Sequence, residues 1–582
     1  MLKRATVIGC LVLLYASLAW SADRTFQMPA DMQKLLPSDP VFIVAVSSVN
    51  DLERQWLAIR EMLDEGNGEP TDLAPWISEE LPQFAKYGDM DRPLAVAMDL
   101  PNLMGGEEPP ITFIIPISDS FGDQAKLELE EEGLTYFIQG RYLAFSMDPA
   151  YAPAAVVPDL ALDLSPGFIT SRLDLEAVVS AYRPMAEMSL DAMANQPAPP
   201  DTSETGAISQ EHGMEAQDAA AIGDMARSIM DSLRRLDLAL QIEGETLTLH
   251  SGFSVFPDSP LDPGPQPSFE EALQLTRLLP TGGNIIQTMA LDQTRQFEVF
   301  KDFYVVAMEK EIASLPPEQG EAYRAWFTSY LESIDLFVNP MAASIKMSEE
   351  GMSANLVMKC VDPAANLDRI AALFAGLTAA DIGIGLKKMP TGKVAGVEVH
   401  SWTVKFDEEK LAEISNGPKS PQMSGIGRLE ADQMIGFLRK VTPNINMAAR
   451  GEHLILSADK DPANLAHMIQ MSGQRRGAAN PEIAAVAAKA GPACQQAVTG
   501  DLMAILSWVT EWMEEMEGEE IVTIENNPIP FSSSLTIDGP HYGGMWTMDM
   551  RAVQRFVKAV EELEKLDDQH RHAPDEEPEE TE

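Results

Sequence analysis

The chain has 582 residues and a formal charge of −48, with 90 acidic side chains against 42 basic ones, 45% hydrophobic residues and three cysteines. Such a surface repels nucleic-acid phosphates and anionic lipid headgroups. Nucleic acid is therefore excluded as a partner, while basic proteins and divalent cations stay open. Only Cys360 and Cys494 lie beyond the N-terminal segment, too few for a disulfide framework, so hydrophobic cores must hold the fold.

Met1-Leu-Lys-Arg4 is a short basic start, and an apolar run from Ala5 to Trp20 follows it. Small side chains in Ser17-Leu-Ala19 and Ala19-Trp-Ser21 stand where a signal peptidase reads, so residues 1–22 read as a cleaved secretory signal. Val7-Ile-Gly-Cys10 has the lettering of a lipoprotein box, but too few apolar residues precede it, and the run continues past it. No other stretch is long and apolar enough to cross a bilayer, so no membrane span is expected after cleavage. The mature chain, with Lys3 and Arg4 removed, is expected in the periplasm or outside the cell.

The first unit, residues 30–256, opens at Leu36-Pro-Ser-Asp39 and runs into Val41–Val46, an apolar strand read as buried on both faces. Asn50 or Asp51 is expected to cap a helix carrying Leu52, Trp56, Ile59 and Leu63 at helical spacing. A second helical stretch bears Leu73, Trp76, Ile77 and Leu81. Strands are expected at Pro93–Met98, Ile111–Ile117, Leu134–Ile138, Gly140–Met147 and Gly167–Leu173, with a helix around Gln124 to Glu131. Asp174 starts another helix, Asn195 to Gly206 reads as a mobile loop, and a helix from about Met214 to Leu233 precedes a hairpin over Leu236–Ile242 and Thr246–Phe256.

A proline-rich linker, residues 257–268, leads to a second unit over residues 269–566, and the elements recur there in the same order. Gly451-Glu-His-Leu-Ile-Leu-Ser-Ala-Asp459 repeats the frame of Gly140-Arg-Tyr-Leu-Ala-Phe-Ser-Met-Asp148. Leu279-Pro280 and Asn284–Met289 answer Leu36-Pro37 and its strand. Pro340–Ile345 answers Pro93–Met98, Asn355–Val361 the strand ending at Ile117, Asp501–Ser507 the run from Asp174, and Leu535–Gly539 the run Leu240–Gly244. Changes in spacing place extra chain between Ala379 and Lys440 in the second unit, and around Ala194 to Met225 in the first. The expectation is an α+β protein made of two divergent copies of one domain in tandem. A helix from Val553 to Leu566 closes it, and residues 567–582 form an acidic tail expected to be disordered.

With its signal, the Leu36-Pro-Ser-Asp39 opening before a strand and the repeated halves, the chain resembles uncharacterised exported bacterial proteins of unknown function that share an LPxD-type opening. The second unit departs from that opening at Leu279-Pro-Thr-Gly282. The resemblance implies architecture and no site residues.

No nucleophile elbow, HExxH, CxxC, P-loop or full GxGxxG is present. Ser457-Ala-Asp-Lys460 spells the acylating pair of penicillin-recognising enzymes, which must lie at a helix start, whereas this serine ends an expected strand. Asp148 and Asp459 are expected to cap the next helices, and His250 and His453 to be strand residues. His570 and His572 lie in the tail, where weak metal binding is all they suggest. The acidic runs Glu128–Glu132 and Glu514–Glu520 lack an EF-hand frame and read as solvated helix ends. Trp508, Trp512, Met513 and Met516 make an apolar stripe. No catalytic, cofactor or metal residue is assigned. The expected function is a non-catalytic binding or envelope-scaffold protein. The alternatives are a hydrolase with a site assembled from distant residues, or a carrier of an apolar ligand.

Overall fold

The computed structural model describes residues 28–37, 40–63, 86–99, 110–146, 148–154, 168–194, 216–313, 317–348, 351–380, 384–407, 444–459, 462–474, 477–505, 507–508 and 528–550. The signal segment, the stretch from Leu73 to Leu81, the Asn195–Gly206 loop, the final helix and the tail fall outside these residues.

In chain order the first half contains α1 (Ala30–Gln33), β1 (Phe42–Val46), α2 (Val49–Leu63), β2 (Leu94–Met98), β3 (Ile111–Pro116), α3 (Asp123–Glu131), β4 (Thr135–Gln139), β5 (Tyr142–Ser146), β6 (Phe168–Asp174), α4 (Leu175–Ala194), α5 (Ala216–Ser232), β7 (Leu233–Glu243) and β8 (Thr246–Val255). The second contains α6 (Phe269–Leu275), β9 (Ile285–Met289), α7 (Thr294–Ala313), α8 (Pro317–Leu331), β10 (Met341–Ser348), β11 (Gly351–Lys359), α9 (Pro363–Ala380), β12 (Ile384–Lys388), β13 (Gly392–Val394), β14 (Val397–Phe406), β15 (Ile445–Arg450), β16 (His453–Ala458), α10 (Pro462–Ser472), α11 (Pro481–Ala490), β17 (Cys494–Asp501), β18 (Pro530–Asp538) and β19 (His541–Asp549). The fold is α+β.

All pairings among these strands are antiparallel. In the first half the order across the sheet is β4-β5-β3-β2-β1-β6-β7-β8. In the second it is β15-β16-β11-β10-β9-β17-β18-β19, with β14 and β12 added beyond β15. The two orders correspond strand for strand. Registers correspond as well: Ala45 lies between Ala95 and Thr170, and Thr288 between Ala342 and Ala497. Gly140–Asp148 and Gly451–Asp459 occupy the same place, each turning the hairpin beside β3 or β11.

The halves meet where β8 pairs with β19, from Thr246↔Asp549 to Ser254↔His541. Strands β8 and β19 hold the same place in their hairpins, so like pairs with like about an approximate two-fold at His250↔Met545. This is the register of an isologous dimer interface within one chain. The result is one sheet running from β4 to β12.

One cross-strand row crosses this sheet with hardly any exposure. It reads Ala144, Ile114, Ala95, Ala45, Thr170, Ala239, His250, Met545, Ser534, Ala497, Thr288, Ala342, Val357, Ile455, Ala448, each 8% exposed or less. Small side chains predominate because helices seat directly on this face. Met32, Leu35 and Leu36 cover it in the first half, and Leu275, Leu278, Leu279, Leu465, Met468 and Ile469 in the second. The opposite face packs Val49 and Leu129 against Ile115, Leu143 and Phe145. Beyond the junction it packs Ile370, Ala371, Phe374 and Leu377 of α9 against Met341, Trp402 and Leu454. The segment Pro257–Pro267 is held closely: Leu261 is buried, and its carbonyl accepts from the Tyr542 hydroxyl at 2.5 Å.

Two expected caps move. Helix α2 begins at Val49, and Ser48 Oγ, rather than Asn50 or Asp51, accepts from a first-turn amide, Asp51 N, at 3.0 Å. Asp51 is thus already inside the helix, where a carboxylate favours the positive end of the dipole. Asp148 caps a tight turn instead of a helix, its Oδ1 accepting from Ala150 N at 2.8 Å. Asp174 does start a helix, accepting from Ala177 N at 2.9 Å.

The two corresponding hairpins support a matched test. Gly140 and Gly451 have φ of 56° and 61° at the first position of two-residue turns, where glycine avoids the left-handed cost. A Cβ at Gly140 would collide with the Asp31 carboxylate, whereas one at Gly451 meets nothing within 4 Å. Each substitution to alanine should cost about 1–2 kcal/mol for the left-handed backbone, because the half-exposed Asp31 carboxylate is the free end of a side chain and turns aside from a Cβ at Gly140. Urea unfolding of the pair checks this; a loss at Gly140 several-fold larger than at Gly451 would contradict it.

Candidate functional site

The polar residues weighed in the sequence are placed singly, each with a structural task. Ser457 is buried in β16, and its hydroxyl donates to Asn355 Oδ1 at 2.8 Å across the β11 pairing. Lys460 lies outside the described residues, as do Glu514–Glu520, Trp512, Met513, Met516, His570 and His572. Asp459 Oδ2 accepts from Asn464 Nδ2 at 2.5 Å, tying the end of β16 to α10. Glu128 accepts from Lys86 Nζ at 2.7 Å and from the Tyr87 hydroxyl at 2.8 Å, and the lysine and the phenol hold its carboxyl below the usual range. Among the described residues no three His, Cys, Asp or Glu side chains cluster as metal ligands. Cys360 and Cys494 are both buried free thiols. Burial pushes the Cys494 thiol up to about 12, which makes it a poor nucleophile.

His250 and His453 are strand residues, both 8% exposed. Burial chiefly holds His453 below the ordinary histidine value of 6.5; Arg277 and Lys359 push the same way, and Glu452 opposes them. A histidine kept neutral by folding contributes stability above its unfolded pKa. That contribution is lost as pH falls from there towards the folded value. His453→Gln should therefore lose less stability than the parent between about pH 7 and pH 5, measured as unfolding midpoints. A loss at least as steep in the variant would contradict the buried neutral ring.

A shallow, open depression lined by Asp258, Ser259, Arg295 and Glu298 lies beside the segment joining the halves. It presents no enclosed volume in which a substrate would be desolvated.

The feature that distinguishes the halves is the sheet edge. In the second half, β14 adds to β15 through Trp402↔Ile445, Ser401↔Asn446 and His400↔Met447. The β15 residues Met447 and Ala448 are 0% exposed. In the first half the corresponding residues are Tyr136 and Phe137 on β4, and β4 pairs with β5 alone among the described residues. Phe137 and its neighbour Ile138 are 37% and 40% exposed. Tyr151 supports Phe137 edge-on at 5.4 Å between ring centres, and the Tyr136 hydroxyl donates to Glu130 at 3.0 Å. The far end of the sheet differs again, because β12 carries Lys387 and Lys388, charges that discourage edge pairing. Strand β4 reads Thr-Tyr-Phe-Ile-Gln, with no charge, proline or bulge.

The sequence reading located the β4 hairpin but not its edge. The signal was present in the comparison of Phe137-Ile138 with Ala448-Ala449, large apolar residues standing where the filled edge has small ones.

No family model matches the chain, and no curated protein matches it. A solved structure described as "Structure of crystal form III of TP0453" aligns with 44% of this chain and 88% of its own, at 8% identity and a TM-score of 0.18. No helix of the described residues is long and apolar enough to cross a membrane.

Proposed function

We propose that this is an exported protein, periplasmic or extracellular, that works by association: a non-catalytic binding or scaffold protein built from two divergent copies of one α+β unit. The duplication is supported by the matching strand orders, the matching registers around Ala45 and Thr288, and the like-with-like pairing of β8 and β19. Export is supported by the basic start and apolar run at residues 1–22. The observation that carries the binding role is the β4 edge, which no strand of the described residues pairs, at the position that the second half fills with a strand of its own.

N-terminal sequencing of protein from the producing cell should begin between Trp20 and Thr25; an intact Met1 would reject export. Immobilised protein should retain a partner from envelope extract at low salt and release it as salt screens the acidic surface. Hydrolysis of an ester, peptide or glycoside, abolished by alanine at Asp148, His453, Ser457 or Asp459 without loss of folding, would overturn the non-catalytic reading.

A further inference from the structure

Edge strands that expose a row of free amides and carbonyls are templates for another strand, and folded proteins usually blunt them with charge, proline or bulges. Shortness is the only such device in β4. In the two-residue hairpin the closing pair is Gln139↔Tyr142. Main-chain groups alternate in an antiparallel ladder, so those of Thr135, Phe137 and Gln139 face β5 while those of Tyr136 and Ile138 face outward. Ile117 N donates to Arg141 O at 2.9 Å on the far side of β5, as this alternation requires. With no strand of the described residues beside it, the outer edge therefore offers two amides and two carbonyls, flanked by the exposed apolar side chains of Phe137 and Ile138.

We propose that β4 receives an antiparallel strand from a partner protein, an extended segment that alternates apolar residues and ends in lysine or arginine. This deepens the association reading above and rests on it. The polarity follows the internal precedent, since β14 lies antiparallel on the corresponding edge. The charge follows from the surroundings. Glu130, Glu131 and Glu132 end α3 beside the Thr135 end of β4, and Asp148 follows Ser146, the residue paired with Thr135. The C-terminal end of an antiparallel guest arrives there. Strand β14 itself carries Lys405 in that direction, beyond the Trp402↔Ile445 pair. A second copy of this chain fits less well, because each molecule carries a formal charge of −48.

The test uses the mature full-length protein and a short fluorescent peptide that alternates valine and threonine and ends in two lysines. Its controls are the same peptide ending in two glutamates, and a version N-methylated at alternate residues to remove the donors of one edge. Anisotropy at low salt should show binding of the lysine peptide, at least about tenfold weaker binding of the glutamate peptide, and none of the N-methylated one. Ile138→Pro removes an outward amide, which an edge strand tolerates. It should abolish binding with little loss of thermal stability, whereas Ile138→Val should retain binding. If the proline variant fails to fold, the N-methylated peptide decides alone. Equal binding of the lysine and glutamate peptides, full binding of the N-methylated peptide, or dimerisation of the protein through β4 would each overturn the proposal. Retention of a partner from envelope extract would still stand in those cases, so the association reading fails separately.

Discussion

Ala497→Asp should lower the free energy of unfolding by more than about 4 kcal/mol. Ala497 is 0% exposed in the middle of the cross-strand row, and α11 closes over it with Ile483 and Val486, beside Cys494. A carboxylate there loses its water among apolar packing partners. It must stay charged without solvation or take up a proton, and either outcome disfavours the folded state. The comparison is Leu238→Asp on β7, a site 37% exposed, where the loss should be about 1 kcal/mol or less. Urea unfolding measures both. A loss near 1 kcal/mol for Ala497→Asp would mean that α11 does not seal the face it covers.

Tyr542→Ala should cost about 3–5 kcal/mol, and Tyr542→Phe about 1–3 kcal/mol. This β19 residue is 6% exposed and stands where the halves join. Its hydroxyl donates to Leu261 O at 2.5 Å in the connecting segment and accepts from Gln296 Nε2 at 2.8 Å on α7. Its ring lies 6.1 Å from that of Phe253 on β8. Phenylalanine keeps the packing and leaves only the long 3.4 Å bond from Gln296 Nε2 to Leu261 O in place of the two hydroxyl bonds, whereas alanine removes the packing too. If the seam couples the halves, both variants should still unfold in a single transition, at lower denaturant. Separate transitions for the two halves would show that the shared sheet does not make them cooperative.

The strands that the sequence revealed are those whose burial leaves a pattern. Val41–Val46 and Ile111–Ile117 read as apolar strands and are found as Phe42–Val46 and Ile111–Pro116. The first was expected to be buried on both faces, but only one of its faces is buried throughout, with Phe42 and Val44 on the other partly exposed. Strand β17, Cys-Gln-Gln-Ala-Val-Thr-Gly-Asp, has no such pattern. It is a strand because β9 and β18 flank it in register, which is tertiary information. The β12–β14 strands fall within the span between Ala379 and Lys440 where extra chain was expected, but nothing in that span told that β14 would seal the β15 edge. Asp148 misled for a local reason. An aspartate after a strand caps a turn or a helix through the same Asx geometry, and the residues that follow decide between them.

The edge itself was the least legible feature, since the exposure of Phe137 depends on β4 having no second neighbour among the described strands, and hydrophobicity alone reads it as core. The most direct measurement is site-specific photo-cross-linking in the producing cell, with a photoreactive phenylalanine analogue replacing Ile138 on β4 or, as a control, Met188 on α4. Met188 is 62% exposed and Ile138 40%, so accessibility alone favours the control. An adduct formed from position 138 and not from 188 is the expected result. No adduct at 138, or the same adduct from both positions, would contradict association through the β4 edge.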